Sequence, residues 1–209
     1  AACDLGGDGS AELLIAELGG ETDSEEGGID YRAGRLSIYR WTGAAGGLSR
    51  KPVWQHREAG ISMLDSVACA GDVNGDGYSD VIVGALAYDN GQIDEGRAFA
   101  YYGSPSGLGP APAWTAEGDQ ASAFFGISVA GAGDVNGDGY SDVLVGAAYH
   151  DAGAGGNADR GRAYLYLGSA GGLATRPAWI ASGGQSAPAF GASVATAGGG
   201  VPTAARRPN

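Results

Sequence analysis

The sequence has few of the residues on which many scaffolds and functional sites depend. Its 209 residues include two cysteines and two histidines, and no apolar run approaches the 18 or more residues of a membrane-spanning helix. Two cysteines are too few for a disulfide framework. Because Cys3 and Cys69 stand at different places in the repeat described below, we interpret them as small buried residues and not as a disulfide. We expect no membrane insertion.

Motifs of catalysis are also missing. The sequence has no HExxH metalloprotease motif, no GxSxG nucleophile motif and no phosphate-binding loop. His56 and His150 lie in different parts of their repeats, and His150 adjoins Asp151 in a glycine-rich segment that is typical of polar surface. Because no base, nucleophile and orienting group recur together, we predict no catalytic residues and no enzymatic activity.

Positive charge is scarce. Lysine and arginine total 12 against 24 aspartates and glutamates, which gives a net charge of −12 at pH 7. A chain with this balance repels nucleic-acid phosphates and anionic lipid, so we expect neither as a partner. Cations are the better expectation. The hydrophobic content of 44% nevertheless predicts a chain that folds around a core.

The sequence is built from a repeat of about 62 residues. The stretch GDVNGDGYSD occurs at 71–80 and again, unchanged, at 133–142. A degraded copy, CDLGGDGSAE, begins at Cys3, and AFGASVATAG at 189–198 repeats FFGISVAGAG at 124–133. We therefore divide residues 1–200 into repeats at approximately 1–60, 61–122 and 123–187 and the start of a fourth at 188–200, followed by a tail at 201–209 that we expect to be disordered. The chain reads as part of a longer repeat protein.

Each repeat predicts four short strands separated by glycine-rich turns. In the third repeat they lie near 128–132, 142–149, 161–169 and 177–182, and no segment of ten or more residues has a helical period. Four short antiparallel strands per repeat are typical of β-propeller blades. A stacked β-solenoid is the alternative, but its coils are far shorter. We predict an all-β fold of about three blades, an incomplete propeller because rings commonly close with four to eight.

Oxygen-bearing side chains recur at every second position of the acidic loop. Counting its first Asp as position 1, the loop has Asp, Asn, Asp and Asp at positions 1, 3, 5 and 9, glycine at 6, and at 7 a tyrosine whose carbonyl can bind. Such a set suits a hard cation with six to eight oxygen ligands, and therefore Ca²⁺ better than Mg²⁺ or a soft metal. A solvated turn of Asx and glycine residues is the alternative. The predicted Ca²⁺ ligands are Asp72, Asn74, Asp76, Tyr78 and Asp80 in one loop, and Asp134, Asn136, Asp138, Tyr140 and Asp142 in the other.

The degraded first copy keeps only part of this set. Asp4, Asp8, Ser10 and Glu12 take positions 1, 5, 7 and 9, and Gly6 replaces the asparagine of position 3. We include these four residues as a third Ca²⁺ site and expect it to be weaker than the other two. An EF-hand is excluded for the intact loops, because Val83 and Val145 stand where its bidentate glutamate is required.

The loops and their flanking dipeptides resemble FG-GAP repeats, which form the blades of the integrin α-subunit propeller and of bacterial relatives. The resemblance covers nearly the whole chain, although Leu86 and Ala148 replace the proline of "GAP". It implies a propeller in which Ca²⁺ braces the hairpins between first and second strands and protein ligands bind the opposite face. The residues that carry it are Phe125-Gly126 and Phe190-Gly191 for "FG", both acidic loops, and Gly84-Ala85 and Gly146-Ala147 for "GA".

The loops between second and third strands vary most between repeats. They span 17–34, 88–96 and 149–161, and length variation on a constant scaffold is where binding specificity is expected. Unconstrained solvated loops are the alternative, and the ligand-binding residues remain unassigned. We also expect the recurring Gly-Arg pairs to begin the third strands, and the recurring tryptophans Trp54, Trp114 and Trp179 to pack between blades.

Calcium modules of this type bind with Kd on the order of 10⁻⁴ to 10⁻³ M, which suits an extracellular, cell-surface or periplasmic location. We therefore predict an extracellular calcium-binding β-propeller module for adhesion or for protein or glycan binding. The alternative is a non-catalytic or accessory propeller portion of a secreted hydrolase or lyase. The expected partners are an unidentified extracellular protein or glycan, and further blades or a second copy that cover the exposed edges and faces of the terminal blades.

Overall fold

The strand-forming segments fold into three four-stranded antiparallel sheets in a computed structural model of the chain. The structure describes residues 1–17, 21–23, 29–31, 34–42, 47–57, 64–151, 160–184 and 190–196, so the expected disordered tail at 201–209 lies outside the described residues. In chain order the strands are β1 (Ala2–Cys3), β2 (Glu12–Glu17), β3 (Glu21–Asp23), β4 (Ile29–Tyr31), β5 (Arg35–Tyr39), β6 (Trp54–Arg57), β7 (Ser66–Gly71), β8 (Asp80–Ala85), β9 (Arg97–Tyr101), β10 (Trp114–Glu117), β11 (Phe125–Gly133), β12 (Asp142–Ala147), β13 (Arg162–Tyr166) and β14 (Trp179–Ser182).

Each sheet is a meander in which consecutive strands pair. Blade 1 has the order β1-β2-β5-β6, blade 2 has β7-β8-β9-β10 and blade 3 has β11-β12-β13-β14, while β3 and β4 form a separate two-stranded ribbon. The described residues contain no helix, and none that could cross a membrane. The predicted all-β fold of incomplete propeller blades is confirmed. The Gly-Arg pairs begin the third strands as expected, at Arg35, Arg97 and Arg162.

The central blade is buried on both faces. All six residues of β8 are buried, and because side chains of a strand alternate between faces, successive residues enter different cores. Val81 and Val83 pack in a core with residues of blade 1, including Leu14 and Leu36. Ile82 packs in a second core with residues of blade 3. Burial on both faces explains why this strand reads as a continuous apolar run instead of an alternating one.

Neighbouring blades touch backbone to backbone where the "FG" and "GA" dipeptides meet. At Gly84 of β8 a Cβ atom would overlap the carbonyl oxygen of Gly126, the glycine that follows Phe125 at the start of β11. The hydroxyl of Ser66 donates a hydrogen bond of 2.8 Å to the same carbonyl. The contact recurs one blade later, where Gly146 meets the carbonyl of Gly191. Residues 190–196 therefore lie against blade 3 as the start of β11 lies against blade 2.

Our interpretation of the cysteines is wrong. Cys3 of β1 and Cys69 of β7 form a disulfide with a Cα–Cα distance of 5.4 Å. The two residues occupy different repeat positions, but the first strands of neighbouring blades lie side by side with a stagger. Residues at unequal repeat positions therefore face each other, and the disulfide joins blade 1 covalently to blade 2.

The recurring tryptophans differ in environment, so the prediction for them holds only in part. Trp114 is buried between blades 2 and 3, where its ring centroid lies 4.9 Å from that of Tyr166 and its Nε1 donates to the Ala174 carbonyl. Trp54 is partly buried against Tyr101 of the next blade. Trp179 is 50% exposed. For Trp179 the prediction is wrong, because it lies on the face of blade 3 that no described sheet covers.

Candidate metal-binding loops

The three acidic loops share one backbone conformation. Each connects the first and second strands of its blade, and each has positive φ at loop positions 4 and 6. These angles are +75° at Gly75 and +91° at Gly77, a region that L side chains rarely adopt. The corresponding values are +77° and +94° in the third blade and +65° and +85° in the first. The degraded first loop therefore keeps the shape of the others despite its altered sequence.

The aspartate at position 1 organises the loop through backbone amides. Asp72 Oδ1 accepts hydrogen bonds from the N–H groups of Gly75 at 2.6 Å and Asp76 at 3.1 Å, and its Oδ2 accepts one from Gly77 at 2.8 Å. Asp134 repeats these three bonds at 2.7, 3.1 and 2.9 Å. In blade 2, Asp76 Oδ1 then accepts from the Tyr78 N–H at 3.0 Å. The backbone thus holds the oxygens of positions 1 and 5 on one hairpin.

The aspartate at position 9 is buried beneath the loop. Asp80 is fully buried, and its two oxygens accept hydrogen bonds of 2.8 Å from the N–H groups of Val73 in the loop and Gly103 after β9. Burial raises the pKa of Asp80 to about 7, the two amides oppose the rise, and the charges of Asp76 and Asp72 add to it. Burial also raises the pKa of Asp142, which has the same pattern of donors. A nearby positive charge would stabilise the ionised form of a carboxylate in this environment.

In the first loop, a side chain of the protein supplies a positive charge to the carboxylate of position 9. Glu12 is almost fully buried and accepts a hydrogen bond from the Leu5 N–H at 2.9 Å, as the aspartates of position 9 do from their loops. Its other oxygen accepts from Arg40 Nε at 2.8 Å, which forms an ion pair. Trp41 has the repeat position that Gly103 has in blade 2. A Cβ atom at Gly103 would overlap the Ser79 carbonyl oxygen. The backbone donor of the other blades is replaced by an arginine.

The intact loops fit a hard cation by donor type. Every side-chain atom in them that could ligate a metal is an oxygen. Each carboxylate can accept about four hydrogen bonds or metal contacts, and the backbone amides use only some of these sites. Among the described residues, no lysine or arginine forms an ion pair with Asp80 or Asp142. The structure does not draw three carboxylates of one loop within 4.8 Å of one another. In the structure they face backbone amides instead.

Adjacent loops also contact each other. The ring of Tyr140, at position 7 of the third loop, lies against Gly75 of the second loop, where a methyl group would be too close to it. The Ser141 N–H donates a hydrogen bond of 2.8 Å to the Asp72 carbonyl. The ring of Tyr78 lies against Gly7 of the first loop in the same way. The three loops therefore form one continuous row along the same edge of the blades.

One acidic cluster was missed by the sequence analysis. Carboxylate oxygens of Glu95, Glu117 and Asp119 lie within 4.8 Å of one another, and this is the sole such trio among the described residues. Arg97 forms an ion pair with Glu117, and its guanidinium carbon lies 3.9 Å from the centroid of the Tyr88 ring. The trio joins the end of the loop before β9 to the link after β10. No sequence spacing marks it, because Glu95 precedes β9, whereas Glu117 ends β10 and Asp119 follows that strand.

The variable loops are described only in part. Residues 88–96 are within the described chain, whereas much of 17–34 and of 149–161 lies outside it. The assignment of ligand specificity to these loops stays a prediction.

Comparison with known proteins finds family repeats in blades 2 and 3. Residues 66–99 and 125–166 match the family model of the FG-GAP repeat. Human integrin alpha-IIb is 35% identical over 173 residues, which cover 77% of this chain and 16% of that protein. Integrin alpha-3 of Cricetulus griseus is 34% identical over 142 residues, covering 67% of this chain and 13% of that protein. Integrin alpha-6 of Gallus gallus is 36% identical over 112 residues, covering 54% and 10%.

The chain spans less than one fifth of the length of these relatives. The matched segments nevertheless contain both intact acidic loops and the contacting "FG" and "GA" dipeptides. Blades 2 and 3 therefore contain FG-GAP repeats, and most of the chain is similar in sequence to integrin α-subunits.

Proposed function

We propose that the chain is an extracellular calcium-binding β-propeller module of the adhesion type, which binds a protein or glycan and carries out no catalysis. The similarity to integrin α-subunits supports the adhesion role. The observation that carries the calcium part is the position-9 aspartate. Asp80 and Asp142 are buried carboxylates that close an otherwise all-oxygen loop and have no ion-pair partner among the described residues.

Two groups of residues would hold the ion. They are the side chains of Asp72, Asn74, Asp76 and Asp80 with the carbonyl of Tyr78, and the side chains of Asp134, Asn136, Asp138 and Asp142 with the carbonyl of Tyr140. A bound Ca²⁺ would supply two positive charges to a hairpin in which burial and the neighbouring carboxylates raise the pKa of Asp80 or Asp142. Through their hydrogen bonds, the position-9 aspartates hold the hairpin between the first and second strands and connect it to the chain that follows the third strand.

The first loop is proposed as a weaker Ca²⁺ site, formed by Asp4, Asp8, Ser10 and Glu12. It lacks an oxygen side chain at position 3, because Gly6 stands there. Arg40 already neutralises Glu12 at position 9. An arginine in this place opposes a second positive charge through like-charge repulsion.

Two features support a location outside the cytosol. The disulfide between Cys3 and Cys69 is of the kind that forms in oxidising compartments. Loops of this type bind Ca²⁺ at concentrations found outside cells.

The exposed face of blade 3, with Trp179 at 50% exposure, supports further blades or a second copy as a partner in addition to the ligand.

Calcium titration by isothermal calorimetry tests the proposal. Protein treated with EGTA and then desalted is expected to bind two Ca²⁺ ions with Kd on the order of 10⁻⁴ to 10⁻³ M. Asp76→Asn with Asp138→Asn should abolish both, and because these side chains are exposed, the double variant should still fold. Asp8→Asn in the first loop is the matched control and should leave both sites intact. Weak residual heat that Asp8→Asn removes would come from the first loop, whereas heat that survives all three substitutions would place the ions elsewhere.

A further inference from the structure

A cavity of about 500 Å³ lies between blades 2 and 3, away from the acidic loops. Its wall on the side of blade 2 includes Ala116 and Asp119, and its wall on the side of blade 3 includes His150, Arg162 and Tyr166. This volume is within the range of small-molecule sites in proteins. The interface between blades 1 and 2 provides an internal comparison, because the same repeat positions are occupied there by other residues.

One substitution between the repeats explains the open space. In the interface between blades 1 and 2, His56 of β6 packs with its ring centroid 5.5 Å from that of Tyr101 and stacks on Trp54 at 5.8 Å. The equivalent residues in the next interface are Ala116 of β10 and Tyr166 of β13, both of which line the cavity. An alanine therefore stands where a histidine ring fills the neighbouring interface.

A second substitution removes the carboxylate that pairs with the corresponding arginine of blade 2. In blade 2, Arg97 at the start of β9 has two partners, an ion pair with Glu117 and the ring of Tyr88 beneath its guanidinium. In blade 3 the same three positions are Arg162, Ser182 and His150. Arg162 Nε donates to the Ser182 hydroxyl at 3.2 Å, and its Nη1 lies 3.3 Å from His150 Nε2.

The partners of Arg162 that the structure describes, Ser182, His150 and Tyr164, are neutral. The pKa of His150 is lowered by burial and then by the charge of Arg162. Within the described part of the chain no carboxylate forms an ion pair with Arg162. Its positive charge is therefore available to a group inside the cavity, and a guanidinium matches a carboxylate with two parallel hydrogen bonds.

The opposite wall selects against many other anions. Asp119 has a left-handed backbone, with φ of +53°, and its carboxylate belongs to the cluster with Glu117 and Glu95. A multiply charged phosphate would be repelled by this wall. Carboxylate and amide side chains such as Asp119 and Gln120 are instead suitable partners for hydroxyl groups. The cavity thus has two arginines in its lining, Arg162 between the blades and the exposed Arg176, together with several partners for hydroxyl groups.

We propose that this cavity binds a sugar that carries one carboxylate, such as a uronic acid unit of an acidic polysaccharide. Arg162 pairs with the carboxylate, and Asp119 and Gln120 bind hydroxyl groups across the cavity. The inference rests on the proposed binding function, to which it adds a ligand class, but it does not require Ca²⁺ in the loops.

Titrations with D-galacturonate and D-galactose, followed by NMR chemical-shift changes of the protein, test the inference. The acidic sugar should bind at least about tenfold more tightly, because one charged hydrogen-bonded pair distinguishes the two. Ser182→Glu gives Arg162 the partner that Arg97 has, and Ala116→His fills the space as His56 does. Each should weaken galacturonate binding about tenfold or more, as should Arg162→Gln. Thr115→Glu adds the same charge at an exposed position of β10 and should leave binding unchanged.

Three results would overturn the inference. They are equal affinity for the two sugars, unchanged galacturonate binding in both Ser182→Glu and Ala116→His, and equally tight binding of N-acetylglutamate, which would show recognition of a carboxylate without a sugar. Circular dichroism of each variant establishes whether it folds. If Arg162→Gln does not fold, Ser182→Glu still tests the inference. The Asp76→Asn/Asp138→Asn protein separates the two proposals. It should keep galacturonate binding while losing Ca²⁺, so either proposal can fail while the other stands.

Discussion

At the scale of single residues, two substitutions distinguish the first acidic loop: Glu12 replaces the aspartate of position 9, and Arg40 stands where blades 2 and 3 have Tyr102 and Leu167. Asp80 reaches only backbone amides, and burial leaves its pKa high. Glu12 is longer by one carbon and reaches Arg40, which forms an ion pair with it. The two loops have the same backbone shape, so the difference between them lies in charge and not in conformation.

We therefore expect that two substitutions would make the first loop bind Ca²⁺ as the intact loops are proposed to do. Gly6→Asn restores the side-chain oxygen of position 3, and Arg40→Gln removes the competing charge. A Cβ atom at Gly6 would have only the Arg40 guanidinium nearby, at 3.7 Å, so the substitution is tolerated. We expect the double variant to bind three Ca²⁺ ions by calorimetry where the unmodified protein binds two with high occupancy. A stoichiometry that stays at two would show that more than these residues weakens the loop.

Residue pairings of this kind are the part of the site that the sequence could not predict. The spacing of oxygen-bearing side chains predicted the loops and the turn at the glycine of position 6, but not the second positive φ at position 4. It did not predict the partner of Glu12, because Arg40 lies at the end of another strand. The disulfide was missed for a related reason, since Cys3 and Cys69 meet through the stagger between two blades. Contacts between elements depend on packing that a single repeat unit does not show.

At the scale of elements, the "FG" and "GA" dipeptides are two halves of one contact. Gly126 at the start of β11 lies on Gly84 in β8, and this close approach lets Phe125 enter the core between blades 2 and 3. The sequence predicted the strands on both sides with good accuracy. The third blade, for example, was expected to have strands near 142–149 and 161–169, and β12 and β13 span Asp142–Ala147 and Arg162–Tyr166.

Replacing Gly84 by alanine tests the contact. The added methyl group would overlap the Gly126 carbonyl, which is backbone and cannot move aside cheaply. We expect Gly84→Ala to lower the free energy of unfolding by about 2–3 kcal/mol or more, measured by urea denaturation. Gly109→Ala is the matched control, because a Cβ atom there meets nothing closer than 3.6 Å and its φ is not positive. Equal stability of the two variants would contradict the proposed role of the dipeptides.

At the scale of the whole molecule, the blades depend on one another for their cores. One hydrophobic core lies between blades 1 and 2 and another between blades 2 and 3, so the central blade contributes to both. Trp114 and Trp179 show the consequence, since the same repeat position is buried in one blade and half exposed in the next. The repeat predicted the same environment for both tryptophans. Their burial instead depends on whether a further blade covers the face of the sheet on which each one lies.

The disulfide should stabilise the docking of blade 1 on blade 2. Cys3 and Cys69 are separated by 66 residues, and closing a loop of this size in the unfolded chain is expected to contribute about 2–4 kcal/mol. Reduction by dithiothreitol should therefore lower the melting temperature, and the Cys3→Ser/Cys69→Ser variant should melt at the lower temperature with or without reductant. Identical melting of oxidised and reduced protein, verified by thiol titration, would contradict this expectation.

We expect the acidic hairpins to require a divalent cation for full stability. Thermal unfolding with EGTA and with Ca²⁺ at about ten times Kd tests it most directly, because binding to the folded state alone adds RT ln(1 + [L]/Kd), about 1.4 kcal/mol per site. Two occupied loops should raise the melting temperature by on the order of 5–10 °C in the unmodified protein and by nothing in Asp76→Asn/Asp138→Asn. Unfolding that is indifferent to Ca²⁺ in the unmodified protein would contradict the account.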